Sequence, residues 1–366
     1  MSISEITANA QPAAVFGPRG LPDHMDALVF TEPGCAQIQR QPVPSVRAGH
    51  VLIRTAYVGI CGADASFYDG SSFYLRAGLQ RYPFTIGHEW SGTVEDVAHD
   101  VTGYSRGDRV VGHNFMTCET CDSCRAGEPT SCLRRSELGI YGAYPGAASE
   151  FFTVPARVLA TVPASMSLDT AVLAEPTATL VHAFARTGLR NTDRVAVIGT
   201  GTMGLIAVQI ARGAGAEVEA IGVSPVGLAA ARRLGARASS PGTLARATCT
   251  VVVEASGATD APREMLRLLA PAGRGALVGI PHAPTPELDL AMAVLNNATI
   301  SAVLSGLGHW DSALAALRNG TVVPGALLDS VIDYTSASAA FALLATSDRP
   351  RPKILLRFPG ADSSAE

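Results

Sequence analysis

A glycine-rich turn between an apolar strand and an apolar helix constrains the fold of this chain more than any other feature. The segment RVAVIGTGTMG places Gly199, Gly201 and Gly204 in the order GxGxxG. The first glycine permits a tight turn, the second lets backbone approach a pyrophosphate, and the third allows close helix–strand packing. Thr202 and Met203 begin the helix whose N-terminus faces the phosphate charge. Because strand–helix alternation continues to about residue 300, we predict a doubly wound parallel sheet that binds a dinucleotide.

The second strand of this unit ends without the acidic residue that commonly holds the ribose hydroxyls. Gly222 stands about 20 positions after the turn, where that acid is expected, and Ser224 follows two residues later. Without a carboxylate nothing repels a 2′-phosphate, and Ser224 is able to donate a hydrogen bond to one. No arginine follows immediately, as in a dedicated phosphate site. We therefore expect NADP to be favoured over NAD, with use of both left open.

The composition is that of a compact globular protein. The chain has 366 residues, 47% of them hydrophobic and 16% charged, which is enough for two domains. A net charge of -4 without a basic stripe argues against a nucleic-acid partner. Lys353 is the only lysine, so Schiff-base catalysis through lysine has a single candidate.

The chain shows no membrane or export signal. No run reaches the ~18 apolar residues that span a bilayer. Residues 1–24 have no basic region followed by an apolar stretch, so we predict a flexible N-terminal extension rather than a signal peptide. We therefore expect a cytoplasmic protein.

From Ala27 to about Pro163, short β-rich runs broken by Gly and Pro predict a β-barrel-like domain.

Four cysteines lie close together in this β-rich part. Their spacing is C-x2-C-x2-C-x7-C, and thiolates spaced in this way close a tetrahedral structural zinc site. Two disulfides are the alternative, but the chain has seven cysteines, no secretory segment and enough length to fold without cross-links. The predicted ligands are Cys118, Cys121, Cys124 and Cys132.

A second metal site is suggested by residues on separate turns of the same domain. Cys61 lies in GICGAD, and His88 and Glu89 lie in GHEWSG. A thiolate, an imidazole and a carboxylate together are able to form an open zinc site. Taken singly, a lone cysteine is usually a buried residue of the apolar core, and a GHE tripeptide is usually a polar turn.

The whole set of motifs resembles the zinc-dependent medium-chain alcohol dehydrogenases. The resemblance covers residues 25–358 and includes GICGAD, GHEWSGTV, GDRVVG, the four-cysteine lobe, AEPTATLVHA and GTGTMG in the family's order. It implies an α/β protein with a GroES-like β-barrel catalytic domain (residues 25–180 and 321–366, zinc lobe 113–135) and an inserted Rossmann domain (residues 181–320). It also implies a homodimer or homotetramer.

The resemblance assigns roles to individual residues. Cys61, His88 and Glu175 would be ligands of a catalytic zinc, and Glu89 an alternating ligand or a group behind the ligands. Asp64 matches a position that supports the zinc-binding histidine. The implied reaction is Lewis-acid oxidation of an alcohol, with hydride passing to the nicotinamide of NAD or NADP.

Two positions depart from the family pattern. Ala63 stands where the family usually has a Ser or Thr that takes the alcohol proton, and Ser66 stands where many members end the relay with a histidine. The proton then leaves through Ser66, Glu89, a zinc-bound water or the substrate, or the reaction needs no relay. Tyr68 and Thr177 are further replacement candidates, although Tyr68 is better explained as a packing residue at the cleft rim.

The segments CGADASFYDG and YPFTIGHEWSGTV are most similar to the sugar, polyol and aminocyclitol branch, in particular the 2-deoxy-scyllo-inosamine dehydrogenases of aminoglycoside antibiotic biosynthesis. The substrate expected is therefore a cyclic polyol, a sugar or an aminocyclitol. Ala63 keeps two alternatives open, namely a reductase of C=N or C=C bonds and a redox-neutral catalyst on the same scaffold. A dinucleotide-binding protein without activity is a third. Two zinc ions per chain would favour the dehydrogenase.

Overall fold

The computed structural model describes residues 20–281, 283–284, 288–346 and 349–361. Most of the predicted N-terminal extension, residues 1–19, lies outside this range, and the first strand begins at His24. No helix among the described residues has the length and apolar character needed to cross a membrane.

The first half of the chain consists of short strands joined by turns, as the glycine and proline pattern predicts. Its strands are β1 (His24–Glu32), β2 (Cys35–Pro42), β3 (His50–Ile60), β4 (Phe84–Thr85), β5 (Glu89–Val97), β6 (Arg109–Gly112), β7 (Phe115–Met116), β8 (Ser136–Glu137), β9 (Phe151–Pro155) and β10 (Leu159–Thr161). Its helices are α1 (Gly62–Tyr68), α2 (Phe73–Arg76), α3 (Asp122–Arg125) and α4 (Leu168–Ala171).

The second half alternates strands and helices. It contains α5 (Ala174–Thr187), β11 (Arg194–Ile198), α6 (Thr202–Gly213), β12 (Glu217–Ile221), α7 (Pro225–Arg233), β13 (Arg237–Ser239), β14 (Cys249–Glu254), α8 (Ala261–Leu268), β15 (Leu269–Leu277), α9 (Ala291–Leu295), β16 (Thr299–Ala302) and α10 (Trp310–Arg318). The chain closes with β17 (Leu328–Asp333), α11 (Ala337–Leu344) and β18 (Lys353–Arg357).

A 6-stranded parallel sheet forms the core of the second half, in the order β13-β12-β11-β14-β15-β16. Its central strands carry continuous apolar runs, because helices cover both faces. Val195 and Val197 of β11, for example, are almost completely buried. The strand order reverses beside β11, and the loops that follow β11, β12 and β14 meet there, which is where ligands bind in such sheets. The predicted doubly wound sheet is confirmed.

The two ends of the chain meet in a 7-stranded sheet with the path β10-β6-β5-β3-β18-β17, where β9 also pairs with β3. Strand β18 runs antiparallel to β3, with Ile354 opposite Ile60. The residues at the start of β18 therefore lie beside the end of β3, just before Cys61.

Helix α5 connects the two halves. It contacts β5 of the first half as well as α6 and α10 of the second. One hydrophobic core also includes residues from both halves, such as Val111 and Leu173 with Val197 and Leu205. The domain limit expected at residue 180 thus falls inside a helix that packs on both units.

Candidate metal and dinucleotide site

The structure brings Cys61 and His88 together at one end of the first sheet. Cys61 follows β3 and caps α1, where its sulfur accepts a hydrogen bond from Ala63 N at 3.2 Å. His88 directly precedes β5, and the pairing of Gly59 with Glu89 places it beside Cys61. The Cys61 Sγ and His88 Nε2 atoms are 3.1 Å apart. Two of the predicted metal ligands therefore converge, although 27 residues separate them in the chain.

Asp64 orients both of these residues. One carboxylate oxygen accepts a hydrogen bond from the backbone N of Cys61 at 2.9 Å. The other lies 3.6 Å from His88 Nδ1, and both of these atoms are buried without any closer hydrogen-bond partner. The imidazole therefore presents Nε2 towards Cys61, as a metal-binding histidine does when a carboxylate holds its other nitrogen.

The buried cluster fits a cation. Ligand atoms of Cys61, Asp64 and His88 all lie within 4.8 Å of one another. Burial raises the pKa of the Cys61 thiol, while the neighbouring His88 opposes that change. Burial alone would lower the pKa of His88, but the charges of Cys61 and Asp64 raise it well above its usual value. The local field thus favours positive charge at the imidazole end of the cluster.

Glu175 and Glu89 line the same cavity but are not part of that close cluster. Glu175 lies in the first turn of α5, and burial together with the charge of Glu89 raises its pKa to about 7. Glu89 is held instead by Lys353, whose Nζ lies 2.6 Å from Glu89 Oε2. The sequence-based ligand set therefore shares one cavity, with Asp64 the carboxylate nearest to Cys61 and His88.

Lys353 is a site residue to which the sequence assigned no role beside Glu89. It is 1% exposed and also donates a hydrogen bond to Ile60 O at 3.1 Å. The sequence does single out Lys353 as a candidate for a special role, because it is the chain's only lysine and begins an otherwise apolar strand.

The four predicted cysteines of the lobe lie close together around α3. Sulfur–sulfur distances are 3.5 Å for Cys121–Cys124, 3.5 Å for Cys118–Cys132 and 4.0 Å for Cys118–Cys124. Four sulfurs bound to one zinc at about 2.3 Å stand roughly 3.8 Å apart, so the arrangement fits a tetrahedral site. All four are free thiols rather than disulfides.

The glycine-rich turn has the shape that a dinucleotide requires. A Cβ at Gly204 would lie 2.0 Å from the Gly199 oxygen, so only glycine allows α6 to approach β11 this closely. A Cβ at Gly201 would meet nothing within 4 Å, which leaves open space on that face for a ligand. No side chain caps α6, so the backbone N–H groups of Thr202 and Met203 remain available to a phosphate.

The end of β12 carries no ribose-binding carboxylate. A Cβ at Gly222 would lie 2.8 Å from Thr200 Oγ1, and one at Gly227 would lie 2.2 Å from the same atom. The Thr200 side chain fills this place instead. Ser224 caps α7 by accepting a hydrogen bond from Gly227 N at 3.2 Å, so its own hydroxyl proton is still available.

One cavity of about 1000 Å³ is lined both by the candidate metal ligands and by the glycine-rich turn. Its lining includes Cys61 and His88 at one end and Gly199 and Gly201 at another. A dinucleotide on the glycine-rich turn and a metal at Cys61 and His88 would therefore face the same space.

The candidate proton-relay residues occupy different positions. Ser66 lines the cavity, and its hydroxyl donates to Ala63 O at 2.8 Å. Tyr68 stacks on Phe341 with ring centres 4.7 Å apart, and Thr177 is completely buried. Neither of these two residues lines the cavity.

Two family models match the chain. Residues 47–164 match the alcohol dehydrogenase GroES-like domain, and residues 202–319 match the zinc-binding dehydrogenase. The chain belongs to the zinc-dependent medium-chain alcohol dehydrogenase family, and the predicted combination of a GroES-like domain with a Rossmann domain is confirmed. It is accordingly an oxidoreductase.

Individual relatives extend over most of the chain. Sorbitol dehydrogenase of Halalkalibacterium halodurans is 31% identical over 317 residues, which cover 81% of this chain and 90% of the relative. L-threonine 3-dehydrogenase of Streptomyces coelicolor is 32% identical over 334 residues, which cover 87% and 95%. Among solved structures, alcohol dehydrogenase TADH from Thermus sp. ATN1 is 27% identical with a TM-score of 0.83, covering 91% of this chain and 100% of that one.

Proposed function

We propose that this protein is a zinc- and NAD(P)-dependent dehydrogenase that transfers a hydride between a secondary alcohol of a cyclic polyol, sugar or aminocyclitol and the nicotinamide ring. The observation that carries the proposal is the shared cavity. Cys61, His88 and Glu175 line it together with the glycine-rich turn that fits a dinucleotide.

The catalytic metal would be held by Cys61, His88 and Glu175, with Glu89 as an alternating ligand and Asp64 as the carboxylate that fixes the imidazole. A zinc ion at this place supplies Lewis acidity towards a substrate hydroxyl, and the nicotinamide accepts the hydride. The four cysteines of the lobe would hold a second, structural zinc.

The protein side chains would orient the substrate and move its proton. Ser66 is the hydroxyl candidate on α1, because Ala63 has none and Ser66 lines the cavity. Its hydroxyl donates a hydrogen bond to Ala63 O, so its oxygen remains able to accept a hydrogen bond from a substrate hydroxyl and orient it. Glu89 is paired with Lys353 and would serve as a relay only after that ion pair opens.

The substrate class is supported by the relatives and by two segments of the sequence. The relatives include a sorbitol dehydrogenase and a 2-dehydro-3-deoxy-L-galactonate 5-dehydrogenase, both named for polyol or sugar substrates. The segments around Cys61 and His88 are similar to those of aminocyclitol dehydrogenases. We propose a ring secondary alcohol of this kind, with a place in antibiotic or other secondary metabolite biosynthesis.

The adenosine end of the cavity favours NADP. Gly222 and Thr200 leave no carboxylate to repel a 2′-phosphate, and Ser224 offers a hydroxyl. Arg246 lines the same cavity from the loop between β13 and β14, and it makes no hydrogen bond or ion pair with any other residue that the structure describes. In this proposal Arg246 takes the role of the arginine that is absent from the usual position after β12.

A homodimer or homotetramer is proposed from the exposed edge of the parallel sheet. β16 ends the sheet, and Ile300 in it is 38% exposed. The neighbouring α9 exposes Val294 at 77% and Leu295 at 76%. Exposed apolar side chains beside an open strand edge are typical of an interface between subunits.

Free thiols at all seven cysteines support the proposed cytoplasmic location.

The proposed activity is tested by metal analysis together with kinetics. We expect two zinc ions per chain and oxidation of cyclic polyols or aminocyclitols, followed as reduced nicotinamide with NAD and with NADP. The variant His88→Ala should lose one zinc and the activity, whereas Arg318→Gln, an exposed change at the end of α10, should lose neither.

Two results would contradict the proposal. Only the lobe zinc, with activity on C=N or C=C bonds instead of alcohols, would favour the reductase. Dinucleotide binding without turnover of any alcohol or ketone would favour a protein without dehydrogenase activity.

A further inference from the structure

Part of the cavity wall is formed by a very short helix. Ser72, Phe73 and Tyr74 line the cavity that contains Cys61 and His88. Phe73 is 50% exposed and presents an apolar ring at the surface of this cavity. Helix α2 has only 4 residues, and a single turn has almost no stability of its own. The position of this wall must therefore be set by contacts with other parts of the protein.

Those contacts lead to the four-cysteine lobe. The Tyr74 hydroxyl donates to Glu137 Oε2 at 3.2 Å, and Tyr74 and Glu137 are 8% and 2% exposed. Glu137 lies in β8, directly after the lobe. Its other carboxylate oxygen accepts a hydrogen bond from Arg135 Nε at 3.2 Å. A buried carboxylate thus joins the wall to an arginine of the lobe.

Arg135 is in turn attached to the cysteine loop. Its Nη1 donates to Thr130 O at 3.2 Å, and its backbone N donates to Cys132 O at 3.2 Å. The Tyr74 ring also stacks on Tyr141, with ring centres 5.7 Å apart. Backbone hydrogen bonds between Glu137 and Tyr141 in both directions, at 2.9 and 3.0 Å, fix these two residues relative to each other.

This wall is also hydrogen-bonded to α1, the helix on the metal-binding side of the cavity. Ser72 N donates to Ser66 O at 2.9 Å, and Ser66 lies on α1, which Cys61 caps. A shift of α2 would therefore change both the space beside Phe73 and the placement of Ser66. Removing the Tyr74 hydroxyl or the Arg135 guanidinium would leave the buried Glu137 carboxylate short of a donor. Such an unpaired acceptor is costly in a buried position.

We propose that Arg135, Glu137 and Tyr74 are positioning residues for the substrate: they hold the wall at Ser72 and Phe73 against the four-cysteine lobe, so that the lobe determines which alcohols fit the cavity. The substrate part of this inference rests on the proposed dehydrogenase function. The anchoring of α2 by the lobe does not.

The experiment compares four single variants and one double variant of the intact, metal-loaded protein. Tyr74→Phe removes only the hydroxyl, and Glu137→Ala removes the carboxylate. Glu137→Gln keeps an oxygen that can accept from Tyr74. Tyr104→Phe is the matched control, because its hydroxyl donates to a backbone carbonyl (Leu159 O, 2.9 Å) and its ring does not line the cavity.

Two quantities are measured on each variant. Amide hydrogen exchange over residues 72–79 reports the anchoring of α2, and the KM for a panel of cyclic alcohols reports the shape of the substrate space. For Glu137→Ala and Tyr74→Phe we expect faster exchange in this segment and a KM raised about 10-fold, the effect of one hydrogen bond to a buried charge. The affinity for reduced dinucleotide and the zinc content should stay at wild-type values.

The remaining variants separate positioning from a general loss of stability. Glu137→Gln keeps one acceptor oxygen for the two donors, so its exchange and its KM should lie between those of Glu137→Ala and of the wild-type protein, whereas Tyr104→Phe should change neither. The double variant Tyr74→Phe/Glu137→Ala should be no worse than Glu137→Ala alone, because both changes break the same connection.

Unchanged exchange over residues 72–79 in Glu137→Ala would overturn the anchoring. Faster exchange with an unchanged KM and an unchanged order of preference among alcohols would overturn the role in substrate selection. If the wild-type protein oxidised no alcohol at all, the proposed function and the substrate role would fail together, and the exchange result would still decide the anchoring.

Discussion

The Nζ atom of Lys353 lies 2.6 Å from Oε2 of Glu89, and the two side chains are 1% and 3% exposed. Lys353 begins the last strand of the chain, and Glu89 directly follows a proposed metal ligand. Gly59 makes this contact possible, because a Cβ there would lie 2.5 Å from the same Glu89 oxygen. Glu89 raises the pKa of Lys353 against the opposing effect of burial, so the lysine remains charged.

Breaking this ion pair should destabilise the fold strongly. Lys353→Met would leave the Glu89 carboxylate buried without its partner, and we expect a loss of about 3–5 kcal/mol in the free energy of unfolding. Urea unfolding of the metal-loaded protein measures this loss. Lys353→Met/Glu89→Gln should recover a large part of it. Arg40→Met, which breaks the exposed pair with Asp26, should cost no more than about 1 kcal/mol. Equal losses for the buried and the exposed pair would contradict the expectation.

Two glycines of the dinucleotide turn should respond differently to alanine. Gly204→Ala places a Cβ 2.0 Å from a backbone oxygen, so we expect a lower melting temperature and loss of dinucleotide binding. Gly201→Ala meets no protein atom within 4 Å, so the fold should be retained while the methyl group blocks the phosphate. Thermal unfolding and titration of reduced dinucleotide by fluorescence give the two readouts. Unchanged binding in Gly201→Ala would place the ligand elsewhere.

The two proposed zinc sites should be separable. Cys124→Ser removes one of four sulfur ligands of the lobe, and we expect one zinc per chain instead of two, with a lower melting temperature. His88→Ala should also leave one zinc, but with a smaller change in melting temperature. The pairing of β3 with β5 already holds Cys61 and His88 in place, whereas α3 of the lobe has no buried residue. Metal analysis by mass spectrometry and calorimetry test this. Loss of both zinc ions in either variant would show that the sites are not independent.

His113 should make the protein sensitive to mild acid. Burial lowers the pKa of His113 to about 4, from 6.5 for a free imidazole. Because the folded-state pKa is the lower one, protonation favours the unfolded chain. The stability from this group is complete above pH 6.5 and is lost as the pH falls towards 4, by at most about 3 kcal/mol.

The measurement is the free energy of unfolding between pH 7.5 and 5. His113→Gln should make this dependence less steep than in the wild-type protein. His24→Gln, a change at an exposed position, should leave the steepness unaltered. Equal steepness in His113→Gln and in the wild-type protein would show that His113 is not the group that titrates.

The proposed NADP preference has a direct test in equilibrium binding. Arg246→Gln should weaken binding of NADPH about 10-fold and leave binding of NADH unchanged, because only NADPH carries the 2′-phosphate that would pair with the Arg246 guanidinium. Arg246→Lys should retain part of the affinity for NADPH. Fluorescence titration measures both ligands without any substrate. Tighter binding of NADH than of NADPH by the wild-type protein would overturn the preference while leaving the dehydrogenase proposal intact.

Much of the architecture follows from local sequence patterns. The turn at Gly199, Gly201 and Gly204 predicts the parallel sheet, because its geometry depends on steric contacts between residues only a few positions apart. The spacing from Cys118 to Cys132 predicts the clustered sulfurs for the same reason. Backbone conformation within about 15 residues determines both features, so they can be read from the sequence.

The relationships between distant residues depended on the tertiary structure. Lys353 and Glu89 are 264 positions apart, and their contact depends on the register of β18 on β3 and of β3 on β5. Tyr74 and Glu137, 63 positions apart, meet only because the lobe folds back on α2. The sequence alone determined the type of sheet, the glycine turn and the sulfur cluster, since each is governed by short-range geometry. Strand register and packing, which sum many weak contacts along the whole chain, decided which buried charges and hydroxyl groups became partners.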